Sequence, residues 1–265
     1  AYEHVIAVFR GELPGYRGCT TKYHDLTHTL SVFLAAVRLI HGAKVTGLEF
    51  DADCLTVGLM AALFHDLGFI QEEGDVSGTG AKYTIGHEER SIRFARRYLE
   101  RKNHPPEWQD VLAEMIRCTM LSIPVSSQEF SSEQIQKMGK IVATADLLAQ
   151  IADRDYLEKL LYLFLEFEEA EIPTFSSERD LLYRTKEFYR KAMDDRLNND
   201  LDNMWQLMRH HFKAWRGEDR DYYMEYIQKN IQYIETVMSR HSEDYREMLR
   251  RSGIVDDLEE TQNGE

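Results

Sequence analysis

A histidine–aspartate pair at the end of an apolar run most constrains what this chain can fold into. Residues 55–64 are mostly apolar and have the composition of a buried helix, and His65 and Asp66 follow them directly. Burying a carboxylate at such a position costs free energy unless a partner compensates for it, and a metal ion is a common partner for a His–Asp pair. We therefore expect the rest of the chain to bring further metal ligands to residues 61–69.

Helical periodicity extends over most of the 265 residues, and no segment shows sustained alternation of polar and apolar side chains. The five prolines lie between the periodic segments, where they interrupt no helix. The sequence therefore predicts an all-α protein. The predicted helices cover residues 26–41, 53–67, 87–101, 107–120, 154–171, 178–214 and 218–250. A further helix is predicted to begin with a capping box at Ser131 and Gln134. Residues 254–265 are expected to fray.

The length of the chain allows one substantial hydrophobic core and does not require a second domain. We expect residues 1–175 to form a helical core that holds the metal. Residues 176–265 are expected to add C-terminal helices that pack on this core within the same domain, and these helices are also compatible with a homodimer. Residues 71–85 form a polar, glycine-rich loop, and its length is typical of functional or mobile loops.

The charge balance argues against one class of partner. Lys and Arg number 32 against 46 Asp and Glu, a net charge of −14, whereas a nucleic-acid partner needs a basic surface. A small phosphate substrate remains compatible, because a metal ion supplies its own positive charge. No signal-peptide pattern is present and no apolar stretch approaches the roughly 18 residues of a membrane helix. With three widely spaced cysteines, we expect a cytoplasmic protein with reduced thiols and no membrane association.

Four further polar residues stand out in helical contexts. His24 and His28 are four residues apart, so they share one face of a helix, although surface pairs at this spacing also arise by chance. Asp146 interrupts a helix that is apolar almost all round, and it needs either a strong partner such as an arginine or a path to solvent. His87 opens a third helix, where it either binds a metal or faces water.

These residues form an ordered set of candidate metal ligands, with two imidazoles and two carboxylates contributed by three helices. Such a mixture suits Mn, Mg, Fe, Ni or Zn and does not select among these ions. Structural zinc sites favour cysteine ligands, whereas nitrogen and oxygen sites often keep open positions for water and substrate. The set therefore favours catalysis over a structural role. Its members are His28, His65, Asp66 and Asp146.

The order of these residues resembles the HD superfamily of metal-dependent phosphohydrolases, in which a His, a His–Asp pair and a distant Asp lie on a helical core. Within that superfamily the motifs are most similar to the catalytic domain of cyclic-nucleotide phosphodiesterases. The resemblance covers residues 20–155. Its motifs are YHDLTH at 23–28, ALFHDL at 62–67, AEMIRCTM at 113–120 and ADL at 145–147.

The resemblance implies an HD or phosphodiesterase-like helical bundle with additional C-terminal helices, and one or two divalent metal ions. It implies hydrolysis of a phosphate ester, a nucleotide or a cyclic nucleotide phosphodiester, by metal-activated water. His24 would then be the general acid, Asp66 a catalytic ligand, and His87 a ligand of a second ion. Lys82 and Arg117 are candidate phosphate contacts. The ligands of the first ion would be His28, His65, Asp66 and Asp146.

Two positions depart from the phosphodiesterase pattern. Asp25, which we expect to orient His24 or a neighbouring group, stands where that family has Asn, and Phe69 stands where it has His. The C-terminal helices show no counterpart of the family's nucleotide-recognising glutamine. Two other functions of an HD-type fold therefore stay open. One is a di-iron oxygenase, which wants more histidines than this chain clearly offers, and the other is a non-catalytic nucleotide sensor, which would usually have lost some of the ligands.

Overall fold

Helices make up all the regular structure in the part of the chain that the computed structural model describes, residues 1–239 and 245–263. The predicted all-α fold is therefore confirmed for these residues. The helices are α1 (Tyr2–Phe9), α2 (Leu26–Val45), α3 (Ala52–Phe64), α4 (His87–Arg101), α5 (Trp108–Arg117), α6 (Glu133–Ile151), α7 (Tyr156–Glu169), α8 (Glu178–Lys191), α9 (Leu207–Arg216), α10 (Tyr222–Ser239), α11 (Tyr245–Met248) and α12 (Ile254–Asn263).

Helix α6 lies at the centre of the bundle. It packs against α2, α3, α5 and α10. Ile141, Val142, Ala145 and Leu148 are fully buried, which fits the apolar composition of this helix on nearly every face. Asp146 lies in the middle of these residues, so the packing that forms the core also carries a carboxylate into it.

The N-terminal and C-terminal parts of the chain share one hydrophobic core. Helix α9 packs along α2, and α8 packs on α7. One cluster of buried apolar side chains extends from Val5 to Leu258. Among the described residues, the helices after residue 175 therefore complete the same core that the first helices begin.

Helices α2 and α9 approach each other closely at Gly42. A Cβ at this position would lie 2.0 Å from the carbonyl oxygen of Leu207, a backbone atom of the facing helix. Only a residue without a side chain fits there unless one of the two helices moves.

We expect Gly42→Ala to lower the melting temperature, although Ala is the better helix former by roughly 1 kcal/mol. Overpacking should lower the free energy of unfolding by about 1–3 kcal/mol, which corresponds to a decrease of several degrees in the melting temperature. Gly58→Ala is the matched control, because its Cβ would meet only the side chain of Met138. A Gly42→Ala variant at least as stable as wild type would show that the two helices separate without cost.

Residues 178–214 do not form the single long helix that their periodicity predicts. Helix α8 is followed by a π-helical segment, Ala192–Asp200, and the chain then turns through Asn203, which has a φ of 58°. The buried guanidinium of Arg196 donates hydrogen bonds to backbone carbonyls within residues 118–123. These contacts between distant parts of the chain fix the local backbone, and a periodicity within one segment does not report them.

The start of α6 also differs from the prediction by one residue. Ser132, not Ser131, caps the helix and accepts a hydrogen bond from the backbone N–H of Ile135. Ser131 instead donates its N–H to Glu114, at 2.8 Å, and the Gln134 amide bonds to Asp51, at 2.5 Å. The predicted capping box therefore does not form, because both of its side chains bond to other elements.

The C-terminal prediction is wrong in one further respect. Residues 254–263 form α12 and do not fray, because Val255 is fully buried and Leu258 is nearly so, where α12 packs on α7. The helix predicted over 218–250 is present as α10 and α11, and residues 240–244 lie outside the described part of the chain.

Two segments are long and apolar enough to cross a membrane by length and composition: Leu26–Val45 and Ala52–Phe69, each with a mean hydropathy of 1.3. The sequence-based expectation that no stretch approaches this length was therefore wrong. Of the apolar window in Ala52–Phe69, 72% is buried inside the bundle. In Leu26–Val45 the buried share of the window is 44%. A buried core helix can have the same composition as a membrane span.

Candidate metal centre

Three helices bring the first four predicted ligands together. His28 lies in the first turn of α2, where the carboxylate of Asp25 caps the helix and accepts the His28 backbone N–H at 2.7 Å. His65 and Asp66 follow the last residue of α3, and Asp146 projects from α6. Residues far apart in sequence therefore meet because their helices pack around one point.

The ligand atoms of this group lie within a few ångströms of one another. The Nε2 atom of His28 is 3.4 Å from Asp66 Oδ2 and 3.2 Å from Asp146 Oδ1. The Nε2 atom of His65 is 3.2 Å from Asp66 Oδ2 and 3.7 Å from Asp146 Oδ1. Two nitrogen atoms and two oxygen atoms thus face a common centre.

Three of these atoms are buried without any hydrogen-bond partner: Nε2 of His28, Nε2 of His65 and Oδ2 of Asp66. Buried polar atoms in native proteins are almost always paired, so three unpaired ones that converge need an explanation. A ligand atom of each residue lies within 4.8 Å of those of the other two. This buried group could hold a metal ion, which would satisfy all three atoms at once.

The histidine rings are oriented for ligation. Nδ1 of His65 lies 3.0 Å from the carbonyl oxygen of Ala62, and Nδ1 of His87 lies 2.8 Å from that of Thr84. A carbonyl oxygen only accepts, so each Nδ1 carries a ring hydrogen, and the neutral form of each ring presents its lone pair at Nε2. This arrangement is typical of metal-binding histidines, whose second ring nitrogen is fixed by a hydrogen bond.

The electrostatics of the group keep its carboxylates ionised. Burial by itself would raise the pKa of Asp66, but His65, together with His24 and His28, outweighs this effect and holds the pKa well below its ordinary value. Burial likewise lowers the pKa of His65, but Asp66 and Asp146 raise it well above the ordinary value. The group therefore has a strong affinity for positive charge, which a proton or a metal ion can supply.

His87 reaches the other oxygen of Asp66. Its Nε2 lies 3.6 Å from Asp66 Oδ1, whereas Oδ2 faces His28 and His65. Helix α4 can come this close because residue 68 is glycine, where a Cβ would lie 1.9 Å from the His87 carbonyl oxygen. Asp66 therefore lies between His87 on one side and His28 and His65 on the other.

The ring of Phe69 contacts two histidines outside the four candidate ligands, His24 and His87. It stacks on His24, with centroids 4.3 Å apart, and on His87, at 4.5 Å. The aromatic ring that stands at this position, where the phosphodiesterases have a histidine, therefore contributes packing to the site. It fixes the rings of His24 and His87 relative to each other.

His24 does not join the four candidate ligands and pairs instead with a residue that sequence reasoning missed. Its Nδ1 lies 2.6 Å from Oε2 of Glu166 on α7, while Oε1 of Glu166 accepts the Tyr23 backbone N–H at 2.7 Å. Burial alone would lower the pKa of His24, but Glu166 outweighs it, so the pKa of His24 is raised. The available signal was a glutamate within the apolar sequence LFLEFEE.

Three other predicted residues are engaged elsewhere. Asp25 caps α2, as described above, and orients the His28 backbone, not the His24 ring. Lys82 pairs with Asp75 and donates to the carbonyl oxygen of Ser77 at 2.6 Å. Arg117 pairs with Glu89 at 2.7 Å. The proposed phosphate contacts of Lys82 and Arg117 remain predictions, and the carboxylate partners of both cations would compete with a phosphate.

A cavity of about 430 Å³ opens beside this group, and His24 and His87 are part of its lining. A depression of about 560 Å³ elsewhere on the described surface is lined by none of the candidate ligands. The lining of the first cavity includes none of His28, His65, Asp66 and Asp146 either, and it borders the candidate metal centre through His24 and His87. Its volume lies in the range of small-molecule sites.

Comparison with known proteins gives a partial match. A family model described as Npun_R2479-like matches residues 102–209, fewer than half of the 265. The matched segment contains Asp146 and Glu166 but none of the candidate histidine ligands. No curated protein and no solved structure matches the chain. The geometry of the site is therefore the main indication of what the protein does.

Proposed function

We propose that this protein is a metal-dependent phosphohydrolase of the HD type, which cleaves a phosphate ester with water. The observation that carries the proposal is the convergence of three unpartnered, buried ligand atoms, on His28, His65 and Asp66. A divalent ion held by these residues and Asp146 would supply Lewis acidity, by acidifying a water molecule and stabilising negative charge on the phosphoryl oxygens. His87 and the second oxygen of Asp66 would hold a second ion.

The pair of His24 and Glu166 supplies the second half of the chemistry. The alcohol part of a phosphate ester leaves as a high-energy alkoxide unless its oxygen is protonated. A general acid beside the site supplies this proton and so lowers the barrier. Glu166 raises the pKa of His24, which favours the protonated ring, and it fixes the ring through Nδ1. The Nε2–H is then the donor for the leaving oxygen. A site with metal ligands on one side and a general acid on the other supports hydrolysis of a substrate over binding alone.

The proposal is tested with metal-stripped protein, to which Mn²⁺, Mg²⁺, Fe²⁺, Ni²⁺ or Zn²⁺ is added back separately. The substrate panel contains 3′,5′-cyclic nucleotides, nucleoside monophosphates and triphosphates, a chromogenic phosphodiester and simple phosphate monoesters. We expect turnover of at least one class, dependent on added metal and abolished again by a chelator. Metal-loaded protein that hydrolyses none of these compounds would overturn the proposal, and iron content with oxygen consumption would then test the oxygenase alternative.

A further inference from the structure

The cavity beside His24 is walled mainly by large apolar side chains. Helix α7, helix α8 and the segment between them contribute most of this wall, to which Tyr23 and Leu121 also belong. A cavity of about 430 Å³ lies within the range of small-molecule sites. Its apolar lining includes Tyr156, Leu160, Leu163, Phe167, Phe175 and Phe188.

We infer that this cavity binds the leaving group of the substrate and that this group is an uncharged, hydrophobic alcohol. The inference rests on the proposed phosphohydrolase function. His24 lines the cavity and is the proposed donor of the proton to the leaving oxygen. The part of the substrate beyond that oxygen therefore extends into the cavity, while the phosphoryl group faces His28, His65 and Asp66.

Most polar groups of the cavity carry no charge, and one of them is the hydroxyl of Tyr23, which is buried without a hydrogen-bond partner. The hydroxyls of Thr84 and Thr185 donate to the carbonyls of Ala81 and Leu181. The amide of Gln150, which lies one helical turn after Asp146, is neutral. A hydrophobic group is the ligand that this lining stabilises most, since each apolar surface it covers is removed from water.

The two cations at the cavity are already neutralised. Arg184 donates to Asp180 at 2.8 Å, and Lys191 lies 3.3 Å from Glu187. Both side chains are more than half exposed, at 52% and 60%, so they lie at the solvent side of the cavity. A second phosphate on the leaving group would have to displace these carboxylates in a protein of net charge −14.

The reaction balances as simple hydrolysis. The oxygen of water bonds to phosphorus, the bond between phosphorus and the ester oxygen breaks, and the proton on His24 passes to that oxygen. The products are the neutral alcohol and inorganic phosphate, and the proton released by the water restores His24. No oxidant or second substrate is needed.

The test compares butyl phosphate with octyl phosphate, both below the concentration at which micelles form. The two alcohols are similar leaving groups, so a difference in kcat/KM reports burial of the four additional methylenes. Each buried methylene should raise kcat/KM by up to about fourfold, and we expect about 10–200-fold in total. Leu163→Glu should remove this preference, whereas Leu165→Glu, an exposed position on the same helix, should keep it. Equal rates for the two esters would overturn the inference, as would a faster nucleotide substrate unaffected by Leu163→Glu.

A binding measurement separates this inference from the proposed function. Octylphosphonate and methylphosphonate, which cannot be hydrolysed as esters, are compared as stabilisers of the Mn²⁺-loaded protein in thermal unfolding. We expect only octylphosphonate to raise the melting temperature of wild type and of Leu165→Glu, and not that of Leu163→Glu. If octylphosphonate stabilises the protein in this way but no ester is hydrolysed, the cavity assignment is supported and the proposed hydrolase function is wrong. If esters are hydrolysed but the two phosphonates stabilise the protein equally, the hydrolase function is supported and the cavity assignment is wrong.

Discussion

Asp66→Ala is expected to lose its bound metal and to lower turnover by at least about 10³-fold. Both oxygens of Asp66 face candidate ligands, Oδ2 toward His28 and His65, and Oδ1 toward His87. Removing this carboxylate would therefore take a ligand from the proposed metal centre, together with the oxygen that faces His87. The measurement is metal content per chain after gel filtration, together with initial rates at saturating substrate.

Two further variants show whether the effect of Asp66→Ala is specific to the proposed metal centre. Asp110→Ala removes a carboxylate that is 78% exposed and pairs with Arg96 on the surface, so it should keep both metal and turnover. Asp146→Asn keeps the shape of a ligand that is already partly exposed, and it should also lose metal. Circular dichroism of each variant reports whether the bundle still folds. A folded Asp66→Ala protein with wild-type metal content and rate would contradict the assignment of the centre.

The two candidate carboxylate ligands could be predicted from sequence because each one violates a local rule. Asp146 lies in a helix that is otherwise apolar, and Asp66 ends another, so both signal a buried carboxylate that needs a partner. The spacing of His24 and His28 on one helical face likewise suggested a shared site, but only His28 joins the four candidate ligands. Helix α2 begins only at Leu26, so His24 precedes the helix and the two rings do not share a helical face.

The partners of charged residues could not be predicted in the same way. The sequence gives the charge of Lys82 and Arg117, but their pairing with Asp75 and Glu89 depends on how a loop folds back and on how two helices pack. Glu166 was missed for the same reason, since α7 and His24 are distant in sequence. The π-helical segment after α8 is a further case, because the contacts of the buried Arg196 side chain set it.

His24→Gln is expected to keep its metal and to lower kcat by about 10²–10⁴-fold, because the variant has no acid to protonate the leaving oxygen. His24 contacts Glu166 and stacks on Phe69, and it makes no ion-pair contact with the four candidate ligands. The loss should shrink for p-nitrophenyl esters, since nitrophenolate leaves without protonation. A variant that loses its metal, or one that loses rate equally on all esters, would show that His24 acts as a ligand or only as a packing residue.

Glu166→Gln tests the same acid through the pH profile. The Glu166 carboxylate raises the pKa of His24 above its ordinary value, although burial opposes it. Activity that needs protonated His24 is present below this raised pKa and falls as the pH rises through it. Without the carboxylate the ring loses its proton at lower pH, so the alkaline fall of kcat/KM should move toward acid pH in Glu166→Gln and disappear in His24→Gln. Glu168→Gln, an exposed position on the same helix, should leave the profile unchanged. An unshifted profile in Glu166→Gln would mean that His24 is not the group whose titration limits the reaction.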